Sequence, residues 1–292
     1  MSDKQAPPYF DILFARLQKQ EPVTTIAFGK HVHWGYWDEP DQADGSPEDY
    51  AAAAERLCQQ VIRAGAIHDG QRVLDVGCGF GGTIASLNER FGNLDMIGVN
   101  IDARQLDRAR QEVRPHNGNR VEFIEADACQ LPFPNDSFDR ILAVECIFHF
   151  GDRGAFFAEA SRVLRPGGVL ALSDFVPPED AVSVLKSFNA SQDEATRRTY
   201  GAINVLCSLD NYRALAQSSG FTLDQVHNIS RHTLPTYPFL RKHLRTWDDP
   251  ADARFFDKAT GQLEMACHAD LLHYTILRFQ RIAASQQARK AG

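Results

Sequence analysis

Val73-Leu74-Asp75-Val76-Gly77-Cys78-Gly79-Phe80-Gly81-Gly82 is the stretch that decides how this chain folds. Its apolar residues predict a strand over 72–76. The glycines then turn the chain into a helix predicted over 83–90. Missing Cβ atoms let a ligand approach the backbone, and a helix start offers free N–H groups. Gly77, Gly79 and Gly82 satisfy G-x-G-x-x-G, the dinucleotide fingerprint, so the turn alone is ambiguous. Gly81 adds G-x-G-x-G in register. Asp75 sits two residues before the first glycine. A carboxylate there suits a ligand with an ammonium group and is unhelpful beside a pyrophosphate.

Outward from this turn, strands and helices alternate. Strands are predicted over 95–101, 121–125, 138–144 and 169–173, and helices over 49–66, 103–113 and 153–164. Strands separated by helices of this length imply a parallel sheet with right-handed crossovers. After Asp174 the rhythm breaks. Residues 178–208 read as an inserted helical segment, 211–219 as a helix and 221–229 as a strand; 238–248 and 262–285 look helical. Residues 1–48 read as an irregular lead-in, with apolar residues at helical spacing from Tyr9 to Leu17 and then the cluster His31-Val32-His33-Trp34-Gly35-Tyr36-Trp37. No internal repeat appears.

The 292 residues, 43% hydrophobic and 24% charged, suit one large α/β domain with insertions. A net charge of -7 repels phosphate backbones, so no nucleic-acid partner is expected. Arg241-Lys242-His243-Leu244-Arg245 reads as a solvated helix face. The six cysteines form no C-x-x-C pair and read as buried free thiols of a reducing compartment. The first eight residues hold no apolar signal core, and no run of about 18 apolar residues occurs. A cytoplasmic protein with no membrane partner is the expectation; a homo-oligomer stays open.

Glu125-Ala126-Asp127-Ala128 follows the third strand, where an acid can accept from an adenine amino group. With Asp75 and the glycine run, residues 49–175 resemble the class I S-adenosylmethionine (SAM)-dependent methyltransferases. The resemblance implies an α/β, Rossmann-like doubly wound sheet of seven strands, mostly parallel, with one antiparallel near the C-terminus. It implies an N-terminal lid over 1–48 and a methyltransferase domain over 49–292, with a helical cap inserted around 178–208. SAM would be held by Asp75, Gly77, Cys78, Gly79 and Gly81, with Asp127 and Ala128 at the adenine.

The second strand ends Asn100-Ile101-Asp102, where many such enzymes place an acid for the ribose hydroxyls. This variant resembles the subgroup of sugar O-methyltransferases, tocopherol and sterol C-methyltransferases, and cyclopropane synthases. By that likeness Asn100, Ile101, Gln105 and Glu145 face the cofactor. Tyr36 and Trp37 belong to a segment that covers it.

Methyl transfer from a sulfonium is an in-line displacement needing the nucleophile about 3–3.5 Å from the methyl carbon and water kept out. A hydroxyl acceptor also benefits from a base. Two strand ends supply candidates: Glu145-Cys146-Ile147-Phe148-His149, and Asp174. Resemblance to the sugar enzymes makes His149 the base and Asp174 its partner. By themselves these residues equally describe a packed histidine between Phe148 and Phe150, and a loop-capping aspartate. His31 and His33 lack partners at metal-ligand spacing, so no metal is expected. Phe188, Tyr200, Tyr237, Phe239, Trp247, Phe255 and Phe256 are candidates for a small-molecule substrate pocket. Ala6-Pro7-Pro8-Tyr9-Phe10 reads as a coincidental turn.

The expected function is methylation of a small-molecule hydroxyl on a natural product or sugar. C-methylation of an isoprenoid-like or other apolar acceptor is the alternative. An NAD(P)-dependent oxidoreductase and a non-catalytic SAM-binding protein are the readings from other classes.

Overall fold

The computed structural model describes residues 6–188, 194–244 and 249–283; the side chains of Phe188 and Leu244 lie outside that description. Two helices, α1 (Tyr9–Gln18) and α2 (Pro22–Phe28), lead to α3 (Pro47–Gly65). Ser46 caps α3 by accepting from the Asp49 N–H at 3.1 Å, and Pro47 fits the first turn, where no N–H is needed. Strands and helices then alternate: β1 (Arg72–Val76), α4 (Gly82–Arg90), β2 (Asp95–Asn100), α5 (Ala103–Glu112), β3 (Arg120–Glu125), β4 (Phe138–Val144), α6 (Arg153–Val163) and β5 (Leu164–Val176). The remainder is α7 (Ala181–Phe188), α8 (Glu194–Tyr200), α9 (Leu209–Ser218), β6 (Phe221–Asn228), α10 (Ser230–Thr233), α11 (Thr236–Leu244), α12 (Pro250–His268) and β7 (His273–Arg281).

The strands form one sheet in the order β3-β2-β1-β4-β5-β7-β6, with β7 antiparallel to both neighbours. Strand side chains alternate between faces, and here both faces are covered. Val73, Met96 and Leu142 join the core on one side, with Leu57 and Val61 of α3. Leu74, Ile97 and Ile141 join the other, with Phe156 and Phe157 of α6. The order reverses between β1 and β4, and ligands of doubly wound sheets bind outside such a switch point.

Two expectations need correction. Residues 262–285 are not one helix: α12 ends at His268, and His273–Arg281 is the antiparallel strand. Tyr274, Ile276, Leu277 and Phe279 are buried in a sheet covered on both faces, so the period-2 signal is blurred. The second correction concerns the lead-in. Phe10, Leu13, Phe28, Trp34, Tyr36 and Trp37 belong to the same core as β1. The Tyr36 N–H donates to the Ala53 carbonyl at 2.8 Å, and the Trp37 N–H to that of His232 at 2.9 Å.

Arg241, read as part of a solvated basic face, bonds Asp257 and Glu264 of α12 at 2.8 Å each and ties α11 to α12. The six cysteines are free. No helix among the described residues is long and apolar enough to cross a membrane.

Candidate active site

A cleft of about 1830 Å³, open mouth included, runs along the carboxyl ends of β1, β2 and β4 and past Asp127. Gly77, Cys78, Gly79, Phe80, Gly82 and Thr83 line it from the first turn. Gly79 has φ +54°, and an added Cβ would find only the Gln105 Oε1 at 3.8 Å. Its side-chain-free backbone therefore faces open space, as a backbone that cradles a ligand must. Gly81 does not line this cleft. A Cβ there would press on Ala109 and Phe123 at 3.0 Å, so it makes room for helix-sheet packing.

Asp75 lies beneath the cleft wall rather than in it. It is 1% exposed, and its Oδ2 has no hydrogen-bond partner. Burial pushes it up to about 8, with the Thr83 hydroxyl pulling back. A buried carboxylate with an unpartnered oxygen beside a glycine turn fits an ammonium ligand and no phosphate.

Asn100, Ile101 and Gln105 line the cleft after β2. The Asn100 Oδ1 accepts the N–H groups of Ile101 at 2.7 Å and Asp102 at 3.3 Å, and its amide donates to Gln105 at 3.0 Å. Its carbonyl oxygen thus shapes its own turn. Asp102 caps α5 and pairs with Arg104 at 2.8 Å. Asp127 and Ala128 line the far side, where Asp127 accepts from the Cys129 N–H at 2.9 Å.

A second cavity, about 680 Å³ with its open mouth included, adjoins the cleft. Leu13, Phe28, Trp34, Phe148, Phe175 and Phe256 make it apolar. Tyr9, Val32, His33, Glu145, His149 and Tyr200 border both spaces and form the neck between them. Glu145 has φ +50° and a buried carboxylate pushed up to about 8 by burial. It accepts from the Trp34 N–H at 2.9 Å and from the Tyr274 hydroxyl, so it anchors the N-terminal segment.

His149 sits in the short 3-10 turn Ile147–His149. Burial lowers it to about 4, against the pull of the Ala202 carbonyl, so it is neutral at pH 7 and able to accept a proton. Asp174, the expected partner, is elsewhere. It is 0% exposed, bonded to Arg153 at 2.9 Å and to the Tyr212 hydroxyl, and lines neither cavity. A fully buried carboxylate needs a cation and donors of its own, and Arg153 supplies them. Arg153 also donates to the Asn204 carbonyl at 2.7 Å, and the Asn204 N–H to the Phe148 carbonyl at 2.8 Å. Asp174 therefore supports the His149 turn at one remove.

Tyr36 and Trp37 do not reach the cleft either. Tyr36 stacks on His232 at 4.6 Å, and the Trp37 indole donates to Asp49 at 2.8 Å. The preceding residues Lys30, His31, Val32 and His33 line it instead. Ala6 to Phe10 also line the cleft, so the N-terminal Pro-Pro-Tyr stretch is part of the site wall. No local signal marked it, because its place depends on the chain crossing back over the sheet. Of the predicted pocket aromatics, Tyr200 and Phe256 line the apolar cavity, and Tyr237 and Phe239 are core. Phe255 lies under Arg198 at 4.6 Å. Trp247 and the Phe188 side chain lie outside the described residues.

A family model described as a methyltransferase domain matches residues 73–168. The methyltransferase GfsG of Streptomyces halstedii is 38% identical over 216 residues, 72% of this chain and 73% of its own. The 27-O-demethylrifamycin SV methyltransferase of Amycolatopsis mediterranei is 30% identical across 86% of this chain and 89% of its own. A mycolic acid cyclopropane synthase solved with S-adenosylhomocysteine has a TM-score of 0.75 at 17% identity, covering 96% of this chain and 100% of its own. That likeness speaks for the fold alone. The chain belongs to the class I SAM-dependent methyltransferases. It is an enzyme that uses SAM to methylate small molecules, which removes the oxidoreductase and non-catalytic readings.

Proposed function

We propose that this enzyme methylates a hydroxyl of a largely apolar natural product, with His149 as the base. One observation carries the proposal: a neutral, half-buried imidazole stands at the neck joining the cofactor cleft to the apolar cavity. The apolar lining of the cavity, with Leu13, Phe28, Trp34, Phe148, Phe175 and Phe256, suits an apolar acceptor. Support also comes from a similar enzyme named for transfer at an oxygen of demethylrifamycin.

Bound SAM supplies an electrophilic methyl group. Asp75, from beneath the cleft wall, would balance its ammonium, and Gly77, Cys78 and Gly79 would give the backbone bed. Gln105 and Asn100 would stand at the ribose, and Asp127 and Ala128 at the adenine. The described part of the N-terminal segment serves as a wall that excludes water rather than a hinged flap, because its aromatics are core. Tyr200, Ile203, Val205, Leu240, Phe256 and Leu263 cap the acceptor.

C-methylation is the second reading. Trp34, Phe148 and Phe175 would stabilise a carbocation by their ring faces. Incubation with labelled SAM and a panel of hydroxylated and alkene-bearing natural products, read by mass spectrometry, decides between them. Label on oxygen is expected; label on carbon alone would sink the hydroxyl proposal. His149→Ala should lower kcat by about 10²–10⁴ for a hydroxyl acceptor, and an unchanged rate would reduce His149 to packing.

A further inference from the structure

Glu145 uses only half of its carboxyl to hold the N-terminal segment. Both donors meet the same oxygen: the Trp34 N–H reaches Oε2 at 2.9 Å, and the Tyr274 hydroxyl donates to Oε2 as well. Oε1 has no donor among the described residues, although Glu145 borders both the cofactor cleft and the apolar cavity. A carboxyl oxygen without a partner in so apolar a neck is costly, unless a visiting molecule supplies one.

The residue is fixed from two sides. Its backbone lies in the left-handed region at φ +50°, which persists outside glycine only where the surroundings impose it. Its N–H donates to the Ser173 hydroxyl at 3.0 Å, which lies 3.3 Å from the Tyr274 hydroxyl, and Tyr274 donates back to the carboxyl. This ring of bonds, from β5 and β7, assigns Oε2 to the protein and leaves Oε1 for the neck. With two donors on Oε2, a proton on the carboxyl sits on Oε1.

No cation acts on Glu145 among the described residues. Asp174 of β5, itself paired with Arg153, adds negative charge. Tyr9 of α1, Tyr50 of α3, Tyr200 of α8, Tyr274 of β7 and the neighbouring Cys146 also feel its charge, and burial keeps all five neutral. His33 and His149 at the neck are neutral too. No lysine or arginine lines the apolar cavity. Alone, then, the carboxyl keeps its proton at pH 7, since burial places it at about 8.

We propose that Glu145 is the countercharge of the cofactor's sulfonium, by which the enzyme tells SAM from its product, the neutral thioether S-adenosylhomocysteine. A methyl group bound for an acceptor in the apolar cavity passes through the neck, so the sulfur that carries it stands there. The proposal rests on that reading of the two spaces, whichever acceptor atom is methylated. Substrate and product cofactor share their amino-acid, ribose and adenine ends and differ by one methyl group and one positive charge. A cation beside Oε1 favours the ionised carboxyl; a thioether does not. Once the methyl group has left, a proton from water returns to Oε1, and the attraction is gone. Glu145 thus favours exchange of product for fresh cofactor.

Calorimetric binding of SAM and of S-adenosylhomocysteine to the full chain, without acceptor, from about pH 6 to 9 tests this. Asp75 would meet the ammonium of both ligands, so its titration cancels from the ratio of their dissociation constants. At pH 7 SAM is expected to release about one proton more than S-adenosylhomocysteine. The preference for SAM should rise by up to about tenfold per pH unit and level off near pH 8. Sinefungin, which carries an ammonium in place of the methylsulfonium, should follow SAM. Glu145→Gln keeps an oxygen for Trp34 and Tyr274 and puts an uncharged amide where Oε1 was. It should lower the preference at pH 8 by about tenfold or more and abolish its pH dependence, with S-adenosylhomocysteine bound as before. Tyr274→Phe removes a donor that favours the ionised form, so the rise should continue to higher pH. A preference that is flat with pH in the unaltered protein, or that keeps its slope in Glu145→Gln, overturns the proposal. Equal weakening of both ligands with the slope in place would make Glu145 a mere strut and also overturns it. Because no acceptor is present, the result is independent of the hydroxyl proposal.

Discussion

Single residues carry the chemistry, and Asp75 shows how much a position in the fold adds to a residue type. Its carboxyl lies at about 8 in the folded chain against an ordinary 3.8. The folded state therefore holds a proton that the unfolded chain releases. The stability tied to it is present below the ordinary value and declines as pH rises toward 8. An ammonium beside Asp75 favours the ionised form, so binding of S-adenosylhomocysteine at pH 7 should release about one proton. Affinity should rise up to about tenfold per pH unit until pH 8. Titration calorimetry in buffers of different ionisation enthalpy measures this, and buffer-independent heats would show that Asp75 does not meet the ligand. Gly79→Arg should fill the open side of the turn. Binding should fall by about 100-fold or more, a loss of about 3 kcal/mol, while the circular dichroism stays native. Asp75 and Gly79 were legible in sequence because their chemistry follows from the turn itself. Asp174 was not, because a sequence holding both Asp174 and Arg153 does not say which cation a buried acid will meet.

At the scale of elements, the Asp174–Arg153 pair joins β5 to α6 and, through Asn204, to the turn bearing His149. Removing one member leaves the other charge buried alone, at about 3–5 kcal/mol. Urea unfolding of Asp174→Asn and Arg153→Met should show losses of that order. The double variant should lose less than the sum, because no unpaired charge remains. Additive losses would show that the two side chains do not interact. Helix α3 was readable from Ser46, Pro47 and its apolar face, since caps and periodicity are local. Strand β7 was misread because burial on both sides erases alternation, and its partners β5 and β6 are far away in sequence.

For the whole molecule, the N-terminal helices are the decisive case. Tyr9 walls both cavities, Trp34 packs edge-on against Phe175 and Tyr237, and Phe28 lies on Tyr50. A chain begun at residue 47 should lose the burial of several large side chains, each worth about 1.5–3 kcal/mol. It should melt well below the full chain and bind hydrophobic dyes. An unchanged melting temperature would restore a detachable lid. The sequence by itself determined the alternating sheet, the glycine turn, the carboxylate beneath it and the cofactor class, because each arises from neighbours within one strand-turn-helix unit. Only the tertiary structure decided which histidines line the cleft, which acid is locked to Arg153, and that residues 6–10 form part of the cleft wall. Those outcomes depend on contacts between segments far apart in the chain, and burial there sets both the company and the charge of each group.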